Sequence, residues 1–184
     1  MIRRVALITA LVTIGIAPTA NAGKPDSAPL PNPVDPTIVA PTSLGGVSIG
    51  QASADAEAAW GNTVGCDGQI VSPGRTCNYG NVRKTGFAAI LSYDGAVIGA
   101  GIGAPSKSFG KPSFKGPLMK FRTAEGIGLG SKFKKVVRAY PDAKVKGRGV
   151  IITEGDSRMV FFSGDAPKGH VTQVTLIEAR PSTP

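Results

Sequence analysis

The clearest pattern in the chain is a run near its C-terminal end in which the members of two sets of side chains alternate residue by residue. Between His170 and Ala179, one set is Val171, Gln173, Thr175 and Ile177, and the other is Thr172, Val174, Leu176 and Glu178. Successive side chains of a β-strand point to opposite faces of a sheet, so such alternation is typical of a strand. The pattern predicts a strand over residues 170–179.

Shorter extended runs precede this strand. Residues 87–93 and 96–102 are mainly apolar, and the pair Asp94-Gly95 lies between them. An Asp-Gly pair between two apolar runs is a strong hairpin signal, because both residues accept the positive φ of a tight turn. Three further runs predict strands over residues 143–147, 149–153 and 158–163.

Two segments have the period of a helix rather than of a strand. Phe133, Val136, Val137 and Tyr140 are spaced i, i+3, i+4 and i+7, which places them on one helical face. Pro141 ends this helix, because proline lacks the amide hydrogen that the helix needs. A second helix is predicted over residues 52–60.

An internal repeat relates these two helices. Residues 46–61, GVSIGQASADAEAAWG, return at 126–141 as GIGLGSKFKKVVRAYP. Self-similarity of this kind indicates one supersecondary unit that is used twice. We therefore predict an α+β fold in which two tandem repeats, each a helix followed by an antiparallel meander, form one sheet with the helices on one face.

The N-terminal 22 residues have the pattern of a secretory signal peptide. Arg3 and Arg4 give a positive start, residues 5–16 form a mainly apolar run, and Ala20-Asn21-Ala22 supplies the small residues of a cleavage site. A buried N-terminal helix is the alternative. Export predicts a protein that is secreted or associated with the cell envelope, and no later run approaches the roughly 20 apolar residues of a membrane span.

The predicted organisation follows from these signals. A signal peptide (1–22) precedes a flexible arm (23–43), which contains six prolines and little that could form a core. The alternative for the arm is docking near Ile38 and Val39. A first repeat (44–104), a basic linker rich in Pro and Gly (105–118) and a second repeat (119–184) complete the chain.

The chain contains two cysteines, Cys66 and Cys77. An even number of cysteines in an exported protein favours a disulfide. A metal site is the rival interpretation, but it would need two further ligands, and the one histidine, His170, is distant in sequence. We therefore predict a disulfide between Cys66 and Cys77, and no metal.

The charge of the chain is concentrated in one segment. The formal net charge is +9, and residues 105–148 contain twelve Lys and Arg residues against Glu125 and Asp142. A basic surface attracts polyanions or acidic proteins. The alternative is a solvated face that keeps the protein soluble.

Residues that could support catalysis are few. His170 is the one imidazole, and it lies at the start of a predicted strand. Glu154 and Asp156 are predicted in a tight turn, and a hydrolase would need at least one of these three in a cleft. The Gly-rich turn at 126–130 lacks the next glycine of a dinucleotide fingerprint, because position 131 is Ser. We therefore predict a protein without enzymatic activity and without a cofactor.

The glycine turn, the short helix that ends in an aromatic residue and the meander resemble the tandem-repeat fold of the β-lactamase inhibitory protein. They also resemble outer-membrane assembly lipoproteins of the small-protein-A type. The residues that carry the resemblance are Gly50–Gly61 and Gly130–Pro141, with Cys66 and Cys77 placed as in the first repeat's disulfide. The resemblance covers residues 44–179. It implies a non-enzymatic protein that either occludes an enzyme's active site with a concave sheet or scaffolds envelope assembly.

We therefore predict an exported, monomeric binding module that recognises a protein or a polyanion at or outside the cell envelope. An inhibitor of a secreted hydrolase is the first alternative, and a hydrolase of unrecognised type is the second. The predicted partner is a secreted or envelope protein or an anionic envelope polymer, and not nucleic acid, because the phenylalanines of the basic segment are too sparse to stack bases. The residues predicted to bind it are Lys107, Lys111, Lys115, Lys132, Lys134, Lys135, Arg138, Tyr79, Tyr93 and Phe161, with Phe87 and Phe162 as further sheet aromatics.

Overall fold

The computed structural model describes residues 29–61, 74–106, 112–165 and 168–179. These ranges contain two α-helices, α1 (Ser53–Ala59) and α2 (Phe133–Ala139), and one 3-10 helix (Pro117–Lys120). The strands are β1 (Ile38–Val39), β2 (Ser43–Leu44), β3 (Val47–Ser48), β4 (Gly74–Asn81), β5 (Gly86–Tyr93), β6 (Ala96–Gly103), β7 (Lys144–Lys146), β8 (Gly149–Glu154), β9 (Ser157–Ser163) and β10 (Val171–Glu178).

The strands form two antiparallel sheets. β1, β2 and β3 make a small three-stranded sheet, and the other seven strands are ordered β4-β5-β6-β10-β9-β8-β7. β10 pairs with β6 on one side and with β9 on the other. The strand at the C-terminal end of the chain therefore lies inside the large sheet and joins its two parts.

The predicted α+β fold of two helix-plus-meander repeats is wrong. The described chain is mostly β, with ten strands in two sheets and two helices of seven residues each. The sequence pattern revealed neither β4 nor the three-stranded sheet. Helices of two turns are not stable alone and form because they pack on other elements, so the sheets and not the helices provide the framework.

The likeness between the two repeated segments is local. Gly50 and Gly130 have φ angles of 78° and 79°, in the left-handed region that glycine adopts without strain. Their amides donate to the carbonyl oxygens of Val97 and Val171, each at 2.8 Å. Each glycine therefore forms a turn that precedes a short helix and is hydrogen-bonded to a strand of the large sheet.

Trp60 lies at the centre of the core. Its side chain is fully buried and meets Tyr79 edge-on, with ring centroids 5.5 Å apart, and Phe121 with centroids 6.3 Å apart. Its indole Nε1 donates to the carbonyl oxygen of Leu44 at 3.2 Å. One residue thereby ties α1, β4, the end of the 3-10 helix and the three-stranded sheet together.

The segment before the first predicted repeat packs on the domain over its described part. Ile38 is 1% exposed, and its amide donates to the carbonyl oxygen of Arg122 at 2.8 Å. The amide of Asn32 donates to the carbonyl oxygen of Trp60 at 3.1 Å. Residues 29–43 therefore differ from the predicted flexible arm, because Ile38 supplies an apolar side chain to the core. The contacts of Ile38 agree with the alternative interpretation, in which this segment docks on the fold near Ile38 and Val39. Residues 1–28 lie outside the described ranges.

Candidate binding surfaces

The two faces of the seven-stranded sheet have different surroundings. Ala88, Ile102, Val174 and Phe161 are buried on one face, in a single core with residues of α1, α2 and the three-stranded sheet. The opposite face, which we call the open face, carries side chains that are mostly half-buried or exposed. The two helices and the three-stranded sheet thus cover one side of the large sheet, and such one-sided cover is common for antiparallel sheets.

Strand register places the open-face residues in three rows that cross the sheet. The rows are Thr76-Leu91-Gly99-Ile177-Arg158-Thr153, then Asn78-Ala89-Gly101-Thr175-Val160-Ile151-Lys144, then Gly80-Phe87-Gly103-Gln173-Phe162-Gly149-Lys146. Neighbouring strands are about 4.8 Å apart, and residues two apart along a strand are about 6.8 Å apart. With Tyr93 at one edge, the face measures roughly 29 Å by 20 Å.

Large apolar side chains reach solvent on this face. Tyr93 is 48% exposed, Phe162 is 39% exposed and Ile98, the extra residue of a bulge in β6, is 37% exposed. Smaller residues lie between them: a Cβ at Gly103 would collide with the Phe87 ring, which therefore packs directly against the backbone of β6. The face is therefore mainly apolar, and Gln173 and Thr175 on the central strand β10 are the polar residues near its middle.

One end of the open face is basic. Lys144 and Lys146 are exposed on the edge strand β7, and Arg158 is half-buried on β9. None of the residues in the three rows is acidic. The open face therefore combines a mainly apolar surface with a positive end, and the positive end complements a surface of negative charge.

The predicted sheet aromatics fall on different faces. Tyr93 lies on the open face, where a partner could contact it. Tyr79 is 1% exposed and Phe161 is fully buried, because their register turns both toward the helices. Burial, together with the Glu57 carboxylate, raises the pKa of Tyr79 to about 12. Tyr79 and Phe161 therefore belong to the core and not to a binding surface.

The predicted basic residues lie on a second surface. Lys132, Lys134, Lys135 and Arg138 are exposed on the outer side of α2, and Lys115 is exposed before the 3-10 helix. The predicted residues Lys107 and Lys111 lie outside the described residues. The structure therefore separates the predicted aromatic and basic residues instead of joining them in one site.

Tyr140 fixes α2 on the sheet. Its ring stacks on Phe161 with centroids 5.8 Å apart, and its hydroxyl donates to Glu125 Oε2 at 2.9 Å. Burial raises the pKa of Tyr140 to about 12. The Thr123 hydroxyl, then a backbone amide and the Tyr140 hydroxyl, hold the pKa of Glu125 below its ordinary value. The Glu125 carboxylate is therefore engaged by hydrogen bonds close to α2.

Cys77 lies in β4 and is 2% exposed. The described residues include no free cysteine. Its predicted partner, Cys66, lies outside the described residues, so the pairing of Cys66 with Cys77 stays a prediction.

The candidate catalytic residues do not come together. His170 is exposed at the start of β10, with its ring 5.5 Å from that of Phe114. The backbone carbonyl oxygen of Asp156 accepts the amide hydrogen of Ala179 at the other end of β10, and Glu154 ends β8 in the same turn. Nine residues of strand separate the two ends by about 30 Å. His170 therefore cannot share one site with Glu154 or Asp156.

Described residues line at least two small cavities. One has a volume of about 210 Å³ and is lined by Lys132, Phe133, Lys134, Lys168 and Gly169. The other, of about 180 Å³, is lined by Pro31, Asn32, Pro33, Val34, Pro36, Pro117, Lys120 and Phe121.

Over the described ranges, His, Cys, Asp and Glu residues form no group of three or more that could hold a metal ion. No helix in the described part of the chain is long and apolar enough to cross a membrane.

Several open-face residues were not predicted from sequence. They are Leu91, Ile151, Val160 and Ile177. Each is two residues along its strand from an exposed or half-buried residue of the open face, so its side chain points to the same side of the sheet. Alternation identified the two residue sets of each strand. It could not show which set faces the helices, because that depends on contacts between distant segments.

Comparisons with known proteins give little guidance. No protein-family model matches the chain, and no curated protein matches it. Among solved structures, the chain is similar to an extracellular protein containing a SCP domain from Bacillus anthracis str. Ames, with 13% identity and a TM-score of 0.37. The match covers 70% of this chain and 43% of that protein, so the chain spans less than half of its length. A likeness of this size carries no argument about fold or function.

Proposed function

We propose that the protein is an exported binding protein that recognises an acidic protein partner through the open face. The observation that carries this proposal is the open face itself, an apolar surface with exposed Tyr93, Ile98 and Phe162 and with cations at one end. Contiguous exposed apolar patches of several hundred Å² mark interaction sites. The signal-peptide pattern of the N-terminal residues supports export.

The size of the open face suits a protein partner. Its projected area of roughly 600 Å², from about 29 Å by 20 Å, approaches the ~800 Å² that each side of a standard interface buries. Interfaces favour an aromatic and apolar centre with a charged rim. The positive end at Lys144, Lys146 and Arg158 selects a partner with acidic residues beside its apolar patch.

The resemblance of the sequence motifs to the β-lactamase inhibitory protein suggests two roles for such a binding protein, although the tandem-repeat fold that it implied is not the fold of this chain. If the partner is a secreted hydrolase, the protein inhibits it, and otherwise the protein scaffolds or retains its partner. The resemblance does not identify contact residues, so the choice depends on identifying the partner and measuring its activity.

The test compares two surface variants. The full-length exported protein, the open-face variant Tyr93→Ser/Phe162→Ser and the control Val34→Ser/Val82→Ser are immobilised in equal amounts and exposed to the culture supernatant and envelope extract. Val34 and Val82 are also exposed, at 103% and 47%, but lie outside the three rows. Each aromatic anchor contributes about 2 kcal/mol, so losing two costs about 4 kcal/mol and weakens binding by about a thousandfold.

Retention of one protein by the wild type and the control, with loss by the open-face variant, supports the proposal. Equal retention by the wild type and both variants, or no specific retention, overturns it. Hydrolase activity of the retained protein, measured with and without the binding protein, distinguishes inhibition from scaffolding.

A further inference from the structure

A second surface carries positive charge without apolar side chains. It consists of the outer side of α2 and of Lys168 shortly before β10, and we call it the basic track: Lys132, Lys134, Lys135, Arg138 and Lys168, all exposed. α2 packs on the covered face of the sheet through Phe133 and Val136. The basic track therefore points away from the open face, with the sheet between the two surfaces.

Backbone hydrogen bonds hold the two parts of the basic track together. The amide of Phe133 donates to the carbonyl oxygen of Gly169 at 3.0 Å, and Lys132 pairs with His170 in an antiparallel bridge. Lys168 immediately precedes this pair, so it is placed beside the start of α2. Together with Lys132 and Lys134 it lines the cavity of about 210 Å³.

The charges of the basic track are not neutralised within the described chain. None of its five side chains forms an ion pair with a described residue. The first turn of α2 contains no acidic residue. Lys134 and Arg138 are four residues apart, and like charges at this spacing destabilise a helix. Cations near a helix N-terminus are also unfavourable. These placements oppose the stability of α2, and a negatively charged ligand would relieve the repulsion.

The shape of the basic track indicates which anion it fits. The cavity is smaller than the ~300–1,000 Å³ of pockets that enclose whole small molecules. From Lys132 to Arg138 the charges extend for about 9 Å along the helix, at about 1.5 Å per residue. We propose that the basic track binds a linear polymer with repeating anionic groups, one group at the cavity beside Lys168 and the following groups along α2. This inference does not depend on the open face.

The test measures binding of soluble polymers by the full-length exported protein. Isothermal titration with a short inorganic polyphosphate and with polygalacturonate distinguishes phosphate from carboxylate groups, and inorganic phosphate serves as the single-ion reference. The variant is Lys134→Gln/Lys168→Gln. The matched control is Arg83→Gln/Lys84→Gln, which removes the same charge from the exposed turn between β4 and β5. All four substituted side chains are exposed, so thermal unfolding should be similar for the three proteins.

The expected result is polymer binding that weakens with salt. The variant should bind about tenfold more weakly than the wild type. The slope of the logarithm of its binding constant against the logarithm of the salt concentration should be shallower by about 1.4, at about 0.7 per lost contact, as for single-stranded polyanions. The control should stay within about twofold of the wild type. Three results would overturn the proposal: equal weakening of variant and control, binding of inorganic phosphate as tight as that of both polymers, or no binding of either polymer.

Discussion

The substitution Gly128→Ser tests whether the internal repeat or the tertiary contacts decide what a position tolerates. Position 128 aligns with Ser48 in the repeated segments 46–61 and 126–141. If the two segments were interchangeable, serine would be accepted at position 128. In the structure, a Cβ at Gly128 would stand closer than 3.0 Å to the backbone carbonyl oxygen of Phe121, a separation that real Cβ atoms essentially never show.

The expected loss is large because the obstacle is backbone. The added Cβ would also lie 3.0 Å from Arg122 Cδ, a side-chain atom that can move. The Phe121 oxygen cannot move without shifting the Phe121 ring, which is 1% exposed and contacts Trp60. Overpacking of a well-packed site costs about 1–3 kcal/mol, and we expect about 3 kcal/mol here. This corresponds to a fall in Tm of about 6–12 °C for a domain of this size.

Urea unfolding followed by the fluorescence of Trp60 measures this loss. Trp60 is the one tryptophan of the chain and is fully buried, so its emission reports on the core. The control is Ser48→Ala, at the equivalent position of the other segment, with an expected change within about 0.5 kcal/mol. A loss below about 1 kcal/mol for Gly128→Ser would refute the argument from the Phe121 carbonyl.

Two further predictions concern buried polar groups. Glu57 is 5% exposed and forms an ion pair with the half-exposed Arg75, with Arg75 Nη1 3.4 Å from Glu57 Oε1. Arg75→Met leaves the buried carboxylate without this cation, so it should lower the free energy of unfolding by about 1–2 kcal/mol in urea titrations. The double variant Arg75→Met/Glu57→Met removes both charges and should recover most of the lost free energy. A double variant less stable than Arg75→Met would contradict this. Tyr79 and Tyr140 have folded-state pKa values raised from 10.0 to about 12, so their contribution to stability is present below pH 10 and is lost between pH 10 and 12. Absorbance titration of tyrosinate should show both still protonated at about pH 11, and Tyr140→Phe should reduce the alkaline loss of stability.

The strands and helices predicted from local patterns mostly agree with the structure. The alternation at residues 170–179 corresponds to β10, and the helical spacing that ends before Pro141 corresponds to α2. Asp94 and Gly95 have φ angles of 50° and 76° and form the predicted hairpin turn. These features could be predicted because side-chain period and turn conformation are properties of neighbouring residues.

The fold class was mistaken where pairing partners decide the structure. β4, Gly74–Asn81, contains Gly, Arg, Thr, Cys, Asn and Tyr without an apolar run, and it is a strand because β5 pairs with it along its whole length. The two-residue strands β1, β2 and β3 likewise form by pairing. A repeat of 16 residues indicated a repeated fold, but the repeated part is a turn and a short helix.

The site predictions show the same limit. Aromatic residues of predicted strands were natural candidates for a binding face, and Tyr93 lies on one. Tyr79 has the same local signature but lies against Trp60, and Phe161 lies under Tyr140. The basic residues of α2 were identified from composition alone, because long charged side chains remain exposed in almost any fold.

By itself, the sequence determined the export pattern, the charge asymmetry, the turns that need glycine, and the two alternating residue sets of most strands. Each of these depends on residues that are adjacent or one turn apart. The tertiary structure alone decided that β10 lies between β6 and β9, that one face of the sheet is covered and the other open, and that the basic track and the open face lie on opposite sides. These features depend on contacts between segments that are distant in the chain. The burial of apolar surface stabilises such contacts but has no directional preference, so no local pattern of residues encodes them.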